Sequence, residues 1–141
     1  MSEILITGGR LIDGTGAAPR PADVLLRDDS IVAVGAPGTV TGAPDARRID
    51  ATGKTVMPGL IDTHLHCTFD DVQSNDELFF HREPAMSALT TAQNLEKILR
   101  AGVTSFMDPD TAWGIGPSVR DAIDCGVIDG PRMKTGYQAL L

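Results

Sequence analysis

The run from Val56 to His66 constrains the fold more than any other part of the chain. It begins with a Pro-Gly turn signal, continues with apolar residues and ends in two histidines separated by one residue. A short apolar run of this kind favours a buried strand of a parallel sheet, which we expect over residues 60–66. Because alternate side chains of a strand share a face, His64 and His66 should project together, with Asp62 below them.

Two imidazoles on one face are a good start for a divalent metal site. A His-x-His pair alone is a weak signal, because ordinary structural histidines also occur at this spacing. The pair is also incomplete, since a zinc site usually takes three or four protein ligands. The spacing alone therefore leaves two interpretations open: His64 and His66 bind a metal together with ligands from elsewhere in the fold, or they are structural histidines.

The part of the chain before this run is typical of a meander of short strands. Gly8-Gly9 marks a turn or a bulge, and the Gly- and Pro-rich stretch over 37–45 indicates a loop. The predicted strands cover residues 4–7, 10–12, 22–26, 31–35, 47–50 and 55–57.

From Pro58 onwards the pattern changes to strands that alternate with helices. Helices are predicted over 84–101 and 117–125, and strands over 103–107 and from residue 132. A polar loop is expected from residue 68 to about residue 82. The apolar spacing of the first helix predicts that its inward face carries Ala85, Leu89, Ala92, Leu95, Ile98 and Leu99. Alternating strands and helices imply a parallel sheet, either open or closed into a barrel.

The run over residues 58–66 resembles the first barrel strand of the amidohydrolase superfamily, whose hallmark is Pro-Gly-Leu/Phe-Ile-Asp-x-His-x-His. Residues 101–105 and 122–132 are similar to later segments of its imidazolonepropionase- and prolidase-like members. The resemblance implies an α/β fold: the start of a TIM-like (β/α)8 barrel in residues 58–141, preceded by part of a small β-sandwich in residues 1–57. It covers only the N-terminal portion of such an enzyme.

The resemblance also implies a function, namely hydrolysis of carbon–nitrogen bonds in small molecules by metal-activated water. His64 and His66 would be the first-strand ligands of one or two divalent ions, most commonly zinc. The other expected parts are a lysine or glutamate on strand four, histidines on strands five and six, and an aspartate on strand eight. Those positions lie outside this chain, so no catalytic residue is assigned within it.

Five further side chains have two interpretations each. Asp62 either orients a histidine or is a buried polar residue with local hydrogen bonds. Asp108, with Asp110 beside it, follows the second barrel strand on the catalytic face, although turn formation around the intervening proline explains both aspartates more simply. His81 either contacts substrate from its loop or is an ordinary surface residue. Cys67 is expected to pack rather than to bind metal.

The length of the chain leads to two rival hypotheses about what the chain is. A closed barrel of this type takes about 250 residues, and the chain has 141. We therefore expect a fragment that forms no stable, active enzyme by itself. The alternative is a truncated, non-catalytic homologue that serves as a metal-binding or interaction module. Other metal-assisted reactions on the same fold, such as ester hydrolysis or deamination, also stay open.

Net charge, the N-terminal residues and the cysteines limit which partners and which cellular compartment the protein can have. A net charge of −7 argues against nucleic acid and against anionic membrane surfaces as partners. The N-terminus lacks the basic and apolar segments of a signal peptide, and two cysteines do not make a disulfide framework. These features predict a cytoplasmic protein. Homo-oligomers are common among such enzymes, and the sequence specifies none.

Overall fold

The computed structural model describes residues 2–69, 72–74 and 76–138. The chain divides into two compact units, Met1–Pro58 and Gly59–Leu141. Each unit is described by itself below. Asp70, Asp71 and Asn75, which belong to the predicted loop, lie outside the described residues.

The first unit is a five-stranded mixed sheet. The strands are β1 (Glu3–Leu11), β2 (Arg20–Arg27), β3 (Ser30–Gly35), β4 (Arg47–Asp50) and β5 (Thr55–Val56). The central strand β1 pairs antiparallel with β2 and parallel with both β4 and β5, while β3 pairs antiparallel with β2. The predicted short strands are confirmed, but only β1, β2 and β3 form a meander, because β4 and β5 both pair parallel with β1.

Of the turn and the bulge predicted at Gly8-Gly9, the structure has the bulge. The register between β1 and β2 shifts between Ile6 and Gly9, and Gly8 has a φ of +73°, which glycine adopts without strain. The buried carboxylate of Asp23 accepts the Gly8 N–H at 2.9 Å and the Gly38 N–H at 2.7 Å. The two predicted strands over 4–7 and 10–12 are therefore one strand, because this side chain satisfies the backbone at the bulge.

The second unit consists of β6 (Leu60–Asp62), α1 (Pro84–Arg100), β7 (Val103–Asp108), α2 (Gly116–Asp124) and β8 (Arg132–Thr135). Its three strands form a parallel sheet in the order β6-β7-β8, with the two helices in the connections. The core is formed by Cys67, Leu95, Phe106, Val119 and Met133. The predicted alternation of strands and helices is confirmed.

The inward face of α1 is only partly the predicted one. Leu95 is fully buried and Ile98 packs against the core, but Ala85, Leu89 and Leu99 are exposed. The other buried residues of the helix are Ser87, Thr90, Thr91 and Asn94. The hydroxyls of Thr90 and Thr91 donate to backbone carbonyls four residues earlier. Such bonds let small polar side chains occupy a buried helix face, which apolar spacing does not predict.

The loop between β6 and α1 contains one turn of π-helix, Glu77–His81, where the sequence indicated only a polar loop. In the part of the chain that the structure describes, no helix has the length and apolar character needed to cross a bilayer.

Candidate metal centre

The strand that carries the histidine motif ends earlier than predicted. β6 stops at Asp62, whereas the sequence indicated a strand over 60–66. The Asp62 carboxylate accepts the backbone N–H of His64 at 3.0 Å, a local bond that competes with strand pairing. The chain nevertheless stays beside β7, because the Leu65 N–H donates to the Met107 carbonyl at 3.0 Å.

The two histidine rings lie close together although they are not on a regular strand. Their centroids are 5.2 Å apart in an edge-to-face arrangement. His64 is exposed, while the ring of His66 stacks on Phe69 at a centroid distance of 4.6 Å. The turn at Asp62 thus brings together the two side chains that strand alternation was expected to align.

The Nδ1 atom of His66 faces the loop that follows β7. It lies 3.0 Å from Oδ1 of Asp110, 3.3 Å from the Asp110 carbonyl oxygen and 3.7 Å from Oδ1 of Asp108. His66, Asp108 and Asp110 each offer a ligand atom, and these atoms lie within 4.8 Å of one another. The sequence placed both aspartates on the catalytic face, but turn formation explained them more simply there.

Asp108 is completely buried and anchors the segment after β6. Its Oδ2 accepts the Cys67 N–H at 3.0 Å and the Cys67 thiol at 2.8 Å. Burial raises the pKa of Asp108, and the hydrogen bonds from Cys67 oppose that rise. Burial also raises the pKa of the Cys67 thiol, and the neighbouring carboxylate adds to this effect. Cys67 is therefore a protonated donor in the core, in agreement with its predicted packing role.

The loop that carries Asp110 is held by the chain that leaves β8. The Gly136 N–H donates to the Asp108 carbonyl at 2.9 Å, and the Thr111 hydroxyl donates to the Tyr137 carbonyl at 3.1 Å. A Cβ atom on Gly136 would collide with the carbonyl oxygen of Pro109, so only glycine permits this close approach. The residues on both sides of Asp110 are thus held by the segment that follows β8.

Helix α1 holds the segment after β6 from another direction. The Asn94 side-chain amide donates to the backbone carbonyls of Cys67 and Phe69, at 3.2 and 2.8 Å. The Ala112 N–H donates to the buried hydroxyl of Thr68 at 3.3 Å. The backbone that follows His66 is therefore bonded to α1 and to the loop after β7.

The remaining sequence candidates lie apart from this group. The Asp62 carboxylate bonds the backbone of His64, which is the local role considered for it. His81 ends the π-helical turn and is exposed. Within the described residues it is not one of the three side chains grouped around His66 Nδ1.

The rings of His64 and His66 are arranged so that both could bind one divalent metal ion. Two imidazoles bound to one tetrahedral zinc, each at about 2.0–2.1 Å, place their ring centroids roughly 5 Å apart, and the observed separation is 5.2 Å. Oδ1 of Asp108 is buried and has no hydrogen-bond partner among the described residues, and it faces Nδ1 of His66 at 3.7 Å, so we count it as a supporting group and not as a ligand. Imidazole and carboxylate groups are typical ligands and supporting groups for zinc.

Comparisons with known proteins agree with this geometry. The model of the amidohydrolase family matches residues 55–139. An N-acyl-D-glutamate deacylase from Alcaligenes xylosoxydans xylosoxydans is 39% identical over 89 residues, which are 63% of this chain and 16% of the relative. Ochratoxinase from Aspergillus niger is 32% identical over 139 residues, which are 96% of this chain and 28% of the relative.

A solved structure of molinate hydrolase superposes with a TM-score of 0.86 at 30% identity, covering 99% of this chain and 30% of the other. The chain thus spans less than a third of the length of each of these three relatives. Since the family model matches more than half of the residues, the chain belongs to the amidohydrolase family.

Proposed function

We propose that the protein containing this chain is a metal-dependent hydrolase of carbon–nitrogen bonds. The observation that carries the proposal is the pair of rings of His64 and His66, 5.2 Å apart just beyond the carboxyl end of β6. Active sites of parallel α/β barrels form at that end of the strands. Membership of the amidohydrolase family supports the same reaction class.

His64 and His66 would hold the metal, for which zinc is the first candidate, through ring nitrogens. When bound, a divalent ion polarises a substrate carbonyl and lowers the pKa of a coordinated water towards neutrality. Two histidines supply only part of a coordination sphere. The other ligands and the general base would come from parts of the protein outside this chain, and they decide between one ion and two.

The substrate class that we propose is a small molecule with an amide bond, such as an acyl-amino acid, a dipeptide or a cyclic amide. The relative named N-acyl-D-glutamate deacylase supports the first of these. His81 is proposed to contact substrate, because loops after barrel strands line such sites. A cytoplasmic location agrees with the free thiols of Cys67 and Cys125.

We also propose that residues 58–141 begin a (β/α)8 barrel which the rest of the protein completes, and that residues 1–57 are part of a composite β-sandwich. Both β6 and β8 are edge strands of their sheet in this chain. Ile61 on β6 is 70% exposed and Met107 on β7 is 40% exposed. Apolar residues exposed beside unpaired edges are typical of a sheet that needs further strands.

The double substitution His64→Ala with His66→Ala in the complete protein tests the function. We expect bound zinc, measured by plasma emission spectroscopy, to be lost, and release of amino acid from N-acyl substrates to fall to background. His81→Ala is the matched control, because it removes an exposed histidine outside the cluster and should leave the zinc content unchanged. Unchanged zinc and unchanged rate in the double variant would contradict the proposal.

A further inference from the structure

The surroundings of His66 determine which of its ring nitrogens carries the proton. Three oxygen atoms face Nδ1: Oδ1 and the carbonyl oxygen of Asp110, and Oδ1 of Asp108. An ionised carboxylate and a carbonyl can only accept hydrogen bonds. A neutral imidazole has one N–H, so the ring must place it on Nδ1 and leave the lone pair on Nε2.

We infer that Asp110 is the positioning residue of the metal centre, which holds His66 as the Nδ1–H tautomer so that Nε2 is free to bind the ion. The inference rests on the proposed function, since it assigns a role at the same site. A carboxylate that receives the second N–H of a metal-binding histidine fixes the ring and increases its basicity.

The distances favour Asp110 over the two neighbouring carboxylates. Nδ1 of His66 is hydrogen-bonded to the Asp110 backbone carbonyl at 3.3 Å and lies 3.0 Å from Asp110 Oδ1, whereas Oδ1 of Asp108 is too far for a hydrogen bond at 3.7 Å. The other oxygen of Asp108 already accepts two bonds from Cys67. Asp62 accepts a backbone N–H rather than a ring nitrogen.

The same distance argues against an ion between His66 Nδ1 and Asp110. Two ligand atoms on one tetrahedral zinc are separated by roughly 3.4 Å when each bond is about 2.1 Å. The observed 3.0 Å is shorter, so the carboxylate oxygen lies too close to Nδ1 for both atoms to bind one tetrahedral ion. The carboxylate therefore supports the ligand, and the ion belongs on the opposite edge of the ring.

The ring is held on two sides, which leaves the Nε2 edge as its reactive part. Phe69 stacks on one face with an interplanar angle of 12°. Asp110 itself is fixed, because Gly136 packs on the preceding carbonyl of Pro109 and donates to Asp108. A side chain held by packing and hydrogen bonds in this manner is preorganised for binding.

The test uses Asp110→Asn in the complete protein. The asparagine amide can donate to Nδ1, which permits the other tautomer with the proton on Nε2. We expect zinc affinity, measured by competition with a chelator, to fall roughly 10–100-fold. In the zinc-free protein, long-range ¹H–¹⁵N NMR at alkaline pH should show His66 changing from Nδ1–H towards Nε2–H. The His66 signals are assigned by their absence in His66→Ala.

Two further variants make the result specific. Asp110→Glu keeps an accepting carboxylate and should recover part of the affinity and the Nδ1–H signature. Asp124→Asn removes the same charge from an exposed position at the end of α2 and should change neither. An unchanged tautomer together with unchanged zinc affinity in Asp110→Asn would overturn the inference. The proposed function fails separately, if both zinc content and rate survive the double histidine substitution.

Discussion

The carboxylate of Asp108 connects two segments that lie 41 positions apart in the sequence. It is completely buried, and both polar hydrogens of Cys67 point to it. Removing a buried acceptor that serves two donors costs free energy of folding, because the donors lose their partner without gaining a hydrogen bond to water. Asp108 thus stabilises the backbone that presents His66.

Replacing Asp108 by alanine should destabilise the complete protein by roughly 1–3 kcal/mol, since the Cys67 N–H and thiol would be buried without an acceptor. Urea denaturation followed by circular dichroism measures the free energy of unfolding. Asp124→Ala is the control, because this exposed carboxylate at the end of α2 should contribute less than about 0.5 kcal/mol. Equal stability of the Asp108 and Asp124 variants would contradict the anchoring role.

The histidine pair could be predicted from the sequence, whereas its supporting residues could not. The spacing of His64 and His66 and the apolar residues before them are local signals. The contact between His66 and Asp110 joins residues 44 positions apart and depends on where the loop after β7 turns. A usable signal was present, because the carboxyl ends of neighbouring parallel strands meet at one edge of a sheet. The Asp-Pro-Asp sequence at such an end equally favoured a simple turn.

Helix α1 shows why bounds were easier to predict than orientation. Proline suits the first turn and Gly102, with a φ of +95°, ends the helix, so the observed Pro84–Arg100 nearly matches the predicted range. The face that packs inward carries Ser87, Thr91 and Asn94, whose polar groups mostly bond to backbone carbonyls. Those bonds depend on tertiary structure that apolar periodicity does not contain.

The segments that follow β7 and β8 lie so close together that adding one methyl group at Gly136 should destabilise the protein. In Gly136→Ala the new Cβ would collide with the Pro109 carbonyl, so the loop must move. We expect a loss of about 1–3 kcal/mol in the free energy of unfolding, as for other overpacked positions. Because Asp110 follows Pro109, zinc affinity should fall as well.

Calorimetry and chelator competition on the complete protein measure both effects of Gly136→Ala. Gln138→Ala is the control, since this exposed side chain lies two residues further along the same segment. A Gly136→Ala variant with normal stability but weak zinc binding would mean that the loop relaxes without cost. A variant normal in both respects would contradict the argument that the close approach positions Asp110.

The two compact units differ in how completely their strands are paired and their sheets are covered. The first unit has a local sheet in which β1 is paired on both sides and a core made of Leu11, Ala22 and Val24. The second unit has a parallel sheet of only three strands, with edges at β6 and β8. Parallel sheets are stable mainly when both faces are covered. The second unit is therefore the one expected to depend on the remainder of the protein.

The isolated segment 1–141 should accordingly fail to show one sharp, cooperative unfolding transition. Ile61 on the edge strand β6 and Leu89 on α1 are each 70% exposed, and both exposed apolar surface and open strand edges promote association. Differential scanning calorimetry should give a broad transition, and a dye that binds apolar surface should fluoresce strongly. The complete protein, as the control, should melt sharply and bind little dye. A sharp transition without dye binding in the segment would instead support the alternative of an independent, non-catalytic module.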